Sequence, residues 1–214
     1  MLRRRPSLVH PPGILERLYG RIRGREQMLV RGDPEWPLLL LSYPRGALDE
    51  AKEVEAAYTH TFPLLTQETR SPYEALLPAL PAIVVVLLRR RNACGCLGHY
   101  HPRGTESRLT HRLASDLGSA TGEIDIAYEA IREWQPQPLS SMALGDLGGR
   151  LAALHVRAAT VAVLMHELEH LAFPDAPERE ARGRSNALYS AVMSEFVAAE
   201  TDSGYGMASS PPRP

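Results

Sequence analysis

Lysine is almost missing from this chain. Of 24 basic residues only Lys52 is lysine and the rest are arginine, set against 25 acidic residues for a formal net charge of −1. That balance excludes a strongly basic nucleic-acid binder on bulk charge and leaves only the chance of a local patch. The preference for arginine reads mainly as base-composition bias in the coding sequence. Cysteine is scarce too. Cys94 and Cys96 are the only two, a spacing poorly placed for a disulfide and too sparse for a secreted disulfide scaffold. A reducing interior is the simpler setting. Long apolar runs are lacking: the longest, 82–88, and the shorter 38–41, fall far below the ~20 residues that span a bilayer. The basic start at Arg3, Arg4 and Arg5 is followed by no apolar stretch of signal-peptide length. These features predict a cytoplasmic protein with no membrane partner. Also absent are a P-loop, a G-x-G-x-x-G turn and a Ser-His-Asp signature.

What remains is ordinary globular material: 214 residues, 44% hydrophobic and 23% charged, enough for one domain with tails. Residues 1–45 are rich in arginine and proline, with a short helix expected over 14–23, a strand over 37–42, and packing the pattern does not define. The three arginines near the start read as a solvated tail rather than a phosphate-contacting arm. A domain is expected over 46–202, followed by a loose tail over 203–214. Within it, Ala47, Leu48, Ala51, Val54, Ala57 and Tyr58 recur at helical spacing. Residues 72–81 read as a broken connection, 82–88 as a buried β-branched strand, 94–100 as a second short strand, and 104–122 as a polar loop with at most a helical turn. Glu123-Ile-Asp-Ile-Ala-Tyr128 alternates polar and apolar, the period of a half-buried strand. From 149 to 173 Leu151, Leu154, Ala158, Val161, Met165, Leu168 and Leu171 step by threes and fours, predicting a long buried helix that Pro174 stops. A second helix is expected over 178–200, with Gly183 as a possible break. The fold class predicted is α+β, with a small mixed or antiparallel sheet packed on the long helix and on the C-terminal helix after it.

The long helix carries His166-Glu167-Leu168-Glu169-His170, an H-E-x-x-H pattern. Residues i and i+4 share a helix face, so both imidazoles can grip one Zn²⁺ at ~2.0–2.1 Å. Glu167, one residue round, can reach a water on that cation without ligating it. The cation brings the water's pKa toward ~7, and Glu167 can then serve as general base and acid. Chance produces this pattern in roughly one such sequence in forty, and two unpaired imidazoles on an apolar helix would be costly to bury. Glu169 reads as a solvated or supporting carboxylate. No histidine follows His170, so a third ligand is a carboxylate or comes from upstream, or else the site has only two protein ligands and waters. Glu195 on the following helix is the leading candidate; Glu178, Glu180 and Asp175 are its rivals.

Four blocks resemble the SprT-like zinc metallopeptidase domain, a zincin: Leu97-Gly-His-Tyr-His-Pro102, Glu123-Ile-Asp-Ile-Ala-Tyr-Glu-Ala130, the helix 163–172, and Arg182-Gly-Arg-Ser-Asn-Ala-Leu-Tyr189. The resemblance covers roughly residues 82–205. It implies a zincin-like fold, Zn²⁺ as cofactor, His166 and His170 as ligands, and Glu167 as the catalytic carboxylate. It also implies a protein or peptide substrate, with DNA-associated targets as a family trait. Where the family has a third histidine ligand this chain has Ser185, or Asn186 under a one-residue shift, and neither is a good zinc ligand.

The function expected is therefore a zinc-dependent metalloendopeptidase. In this zincin reading 123–128 is an edge strand to which an extended substrate adds by main-chain hydrogen bonds. The alternatives are a degenerate zincin acting as a binding or regulatory module, and a gluzincin-like regulator protease with Glu195 as third ligand. His99 and His101 alternate beside the two cysteines. A second metal cluster there is conceivable, but the spacing matches no common structural zinc site, and strand packing is the plainer role. His155 reads as an ordinary surface or core histidine.

Overall fold

The computed structural model describes residues 24–118, 121–134 and 145–205. The helix expected over 14–23 and most of the expected C-terminal tail lie outside these residues. The strands are β1 (Arg25–Val30), β2 (Leu38–Pro44), β3 (Ile83–Arg89), β4 (Gly98–Tyr100) and β5 (Thr121–Ala127). The helices are α1 (Leu48–Ala56), α2 (Gln67–Glu74), α3 (Arg108–Leu117), α4 (Tyr128–Glu133), α5 (Gly145–Ala172) and α6 (Glu178–Tyr205). The α+β class expected from the sequence is what is found. The sheet has five strands in the order β1-β2-β3-β5-β4. β2, β3 and β5 run parallel, and β1 and β4 are antiparallel strands at the two edges.

β3 is apolar at every position but its last because it is buried on both faces, as an inner parallel strand must be. Val84, Val86 and Leu88 join Leu39, Leu41, Ile124 and Ile126 on one face, where Val161, Leu164, Met165 and Leu168 of α5 cover them. Ile83, Val85 and Leu87 point the other way, onto Leu109 and Leu113 of α3. Each fully buried aliphatic side chain of this kind contributes roughly 1.5–3 kcal/mol.

Several expectations are corrected here. β1 and β2 lie in the segment set apart as 1–45, so the sheet extends across the boundary expected at 46. α3 stands where a polar loop was expected, while the connection expected over 72–81 is found as turns from 75 onward, after the end of α2. Ser107 caps α3 by accepting from Thr110 N–H, and Gly118 closes it at φ 58°. β5 is not an edge strand. It sits between β3 and β4, in register Gly98↔Ile126, His99↔Asp125 and Tyr100↔Ile124, and the edge is the three-residue β4.

α5 ends just before Pro174 and α6 opens just after Pro177, so only a five-residue turn separates them. Gly183 does not interrupt α6, which folds back antiparallel along α5 and buries Leu188 and Val192 in the same core. Gly149–Ala172 is long and apolar enough, by length and composition alone, to cross a bilayer. More than half of it is buried inside this fold.

Candidate metal centre and its cleft

The one-turn spacing of His166 and His170 brings their rings together at a centroid distance of 4.7 Å and an angle of 76°. Both Nε2 atoms turn toward one carboxylate oxygen, Glu178 Oε2, at 3.6 Å from His166 and 3.0 Å from His170. Neighbouring donors around a tetrahedral Zn²⁺ with bonds of ~2.0–2.1 Å stand about 3.3 Å apart, so these separations bracket the spacing such an ion needs. The donor set, two imidazoles and one carboxylate, suits zinc chemically.

The physical causes of protonation here are legible. Burial lowers the His166 imidazole, as does His170 beside it, while Glu178 opposes both. A neutral imidazole is the form that ligates a metal. Burial raises the Glu178 carboxyl, but its Arg182 hydrogen bond and the two histidines outweigh this and hold it low. Glu167 is pushed up to about 8, chiefly by burial and then by Glu178, against the Tyr100 backbone N–H that donates to its carboxylate.

Glu178 is thus the carboxylate that joins the pair, and Glu195 is not. Glu195 Oε1 lies 3.5 Å from the Thr66 hydroxyl and 3.4 Å from that of Thr69, at the start of α2. The reason is topological. In an antiparallel hairpin with so short a turn, only the first turn of α6 lies beside the end of α5. Glu195 sits about 25 Å further along the axis at ~1.5 Å per residue. Of the other rivals, Glu180 lies 3.8 Å from Arg184, and Asp175 does not come together with the two imidazoles. Glu169 is buried and holds Arg184 through both carboxylate oxygens, a supporting rather than a solvated role. Ser185 and Asn186 line the cleft, but the Ser185 hydroxyl donates to the Arg182 carbonyl.

The cleft has a volume of about 640 Å³. Its walls carry His166, Glu167, His170 and Glu178 together with Cys94, Cys96 and residues 97–100. β4 forms the wall beside the catalytic candidate. Tyr100 stacks on His170 with centroids 5.4 Å apart and planes 15° from parallel. Sequence reasoning missed the parts played by Gly98 and Tyr100, because packing against α5 leaves no periodic signal in three residues. A larger concavity of about 860 Å³ past Tyr100, lined by His101, Glu106 and Leu171, contains none of the motif residues.

Two further groups of ligand-type residues lie close by. His101 Nε2 is 3.3 Å from Asp125 and 3.7 Å from Glu123, and Asp125 raises the imidazole against the effect of burial. Cys94 and Cys96, whose spacing argued against a bond, are joined as a disulfide, with His99 beside them. His155 is buried; its Nδ1 lies 2.7 Å from the Tyr189 hydroxyl and its Nε2 pairs with the Trp134 carbonyl. In comparisons with known proteins, no family model matches the chain, and no curated protein and no solved structure matches it significantly.

Proposed function

We propose that this protein is a zinc-dependent metallopeptidase of SprT-like, zincin organisation. The observation that carries the reading is the convergence of His166 Nε2, His170 Nε2 and Glu178 Oε2, with the Glu167 carboxylate in the same cleft. His166, His170 and Glu178 would hold the ion, and Glu178 replaces Glu195 in this proposal as third ligand. A bound Zn²⁺ supplies a Lewis acid that polarises the scissile carbonyl and acidifies the attacking water.

The chain's own residues supply the rest. Glu167 accepts a proton from water as its oxygen adds to the carbonyl carbon, and delivers that proton to the amine nitrogen as the C–N bond breaks. Burial keeps the carboxyl a strong enough base to hold the proton between the two steps, and the Tyr100 N–H fixes its orientation. β4, the sheet edge along the cleft, offers main-chain groups to an extended protein or peptide, which would favour backbone recognition over side-chain selectivity. A DNA-associated substrate rests on the resemblance alone, as a cytoplasmic setting rests on the sequence.

A second reading, a fold retained without the chemistry, is favoured by Ser185 and Asn186 standing where a histidine is expected. One comparison separates the two. Zinc-loaded wild-type protein should cleave a casein-like substrate, and Glu167→Gln should keep the zinc and lose roughly 10²–10⁴-fold in rate. Equal cleavage by both chains, or cleavage by neither, ends the peptidase reading.

A further inference from the structure

The cleft contains a second convergence of ligand atoms, on side chains the proposed hydrolysis does not use. Cys94 Sγ, Cys96 Sγ and a ring nitrogen of His99 all lie within 4.8 Å of one another. Gly95, at φ 72°, makes the tight turn between the cysteines that sets both sulfurs on one side. Asn92 supports the turn from beneath: it is buried, its carbonyl accepts from Gly95 N–H at 3.0 Å, and its Nδ2 donates to the Cys96 carbonyl at 3.2 Å. The same Nδ2 lies 3.9 Å from Cys96 Sγ, where an N–H stabilises a thiolate. Cys94 and His99 are exposed and Cys96 is half-buried, so ions and reductants can reach all three.

We propose that the reduced chain binds a second cation, a thiophilic one such as Zn²⁺ or Cu⁺, at Cys94, Cys96 and His99. Two thiolates and an imidazole form a soft donor set that prefers such ions over Mg²⁺ or Ca²⁺. The disulfide is the closed form of the site. A dithiol reductant opens it by passing two electrons into the S–S bond. That bond breaks to two thiolates, the reductant becomes its own disulfide, and the cation takes the place the thiol protons would occupy. A small-molecule disulfide takes the two electrons back by thiol–disulfide exchange, is itself reduced to thiols, re-forms the Cys94–Cys96 bond and releases the cation. The neighbouring group of His101, Glu123 and Asp125 offers no comparable site. The Glu123 oxygens already accept from Ser107 N–H and from the Ser107 and Thr110 hydroxyls, and Asp125 is paired with Arg89.

This inference shares no residue with the His166, His170 and Glu178 centre, so either can fail alone. The test uses His166→Ala/His170→Ala protein, reduced with a phosphine and titrated with Co²⁺ and then Zn²⁺. The expected result is one equivalent of Co²⁺ with a thiolate-to-cobalt charge-transfer absorption. That absorption should vanish on oxidation to the disulfide and on adding Cys94→Ser/Cys96→Ser, and His99→Ala should weaken binding at least ten-fold. Absence of the absorption in reduced, folded protein, or its persistence in the serine chain, overturns the proposal. Should the double-alanine chain fail to fold, the wild-type background decides. Reduced wild-type protein should bind one zinc more than Cys94→Ser/Cys96→Ser, and equal stoichiometry overturns the site.

Discussion

Gly98 and Glu167 share one space: a Cβ placed on Gly98 would stand 2.4 Å from Glu167 Oε1 and 2.7 Å from its Cγ. The edge strand can lie this close to the H-E-x-x-H helix only because residue 98 has no side chain. The atoms a methyl group at 98 would meet belong to the flexible side chain of Glu167 and not to backbone, so the carboxylate gives way rather than the strand. Gly98→Ala should therefore cut peptide hydrolysis at least about ten-fold while bound zinc per chain stays the same. Parallel rate and metal assays check this, and unchanged hydrolysis would show that Glu167 does not act from its observed position.

The third ligand can be assigned by affinity. Glu178→Ala removes the one carboxylate that both imidazoles approach and should weaken zinc binding by roughly 100-fold or more, beyond what loss of an outer partner costs. Glu195→Ala removes only contacts to Thr66 and Thr69 and should leave zinc affinity within about two-fold. Competition with a chromophoric chelator measures both. The reverse ranking would restore Glu195.

Burial of Glu167 makes the metal-free chain sensitive to pH. Its folded pKa of about 8 stands above the usual 4.5. Below 4.5 both the folded and unfolded chains carry the proton. As pH rises toward 8 the unfolded chain has released it and the folded chain still holds it, so stability falls across that interval. Glu167→Gln cannot titrate. In chelator-treated protein it should gain on wild type by on the order of 2–3 kcal/mol between pH 5.5 and pH 8. Urea unfolding at the two pH values tests this, and a constant difference between the chains would contradict it.

Arg184 Nε lies 2.9 and 3.0 Å from the two oxygens of Glu169, tying α6 to α5 beside the metal centre. Glu169 is only 3% exposed, so Arg184→Ala strands a buried carboxylate. The Arg184 side chain is 40% exposed, and solvent there reduces the cost to about 1–3 kcal/mol, below that of breaking a fully buried pair. Arg184→Lys should recover little, since lysine lacks the planar fork. Denaturant midpoints should fall for both variants, and a midpoint equal to wild type would show that the pair is solvent-screened.

The parts of this site that were legible in the sequence are those set by local geometry. The i, i+4 spacing of His166 and His170 places them on one face of any helix, and the apolar stripe from Leu151 to Leu171 defines that helix without help from the rest of the fold. Glu178 was a rival to Glu195 because a sequence does not state where a returning helix crosses. The available signal was the short Pro174 to Pro177 turn, which leaves only the first turn of α6 within reach. β4 falls inside the short strand expected over 94–100, but three residues show no period that would place it outside β5, and the alternating pattern of β5 is also that of an edge strand. Its polar residues Glu123 and Asp125 face the α3 N-cap and Arg89 rather than open solvent. α3 was hidden by polar surroundings although Leu109, Leu113 and Leu117 already stood at helical spacing.

The most direct test of the metal centre is X-ray absorption at the zinc edge on the Cys94→Ser/Cys96→Ser chain, stripped with chelator and given one equivalent of zinc. The account predicts tight binding and a first shell of two imidazole nitrogens with oxygen at about 2.0–2.2 Å. That binding should be lost in the same chain carrying His166→Ala/His170→Ala. A shell without two imidazoles, or zinc bound equally well after both histidines are removed, would contradict it.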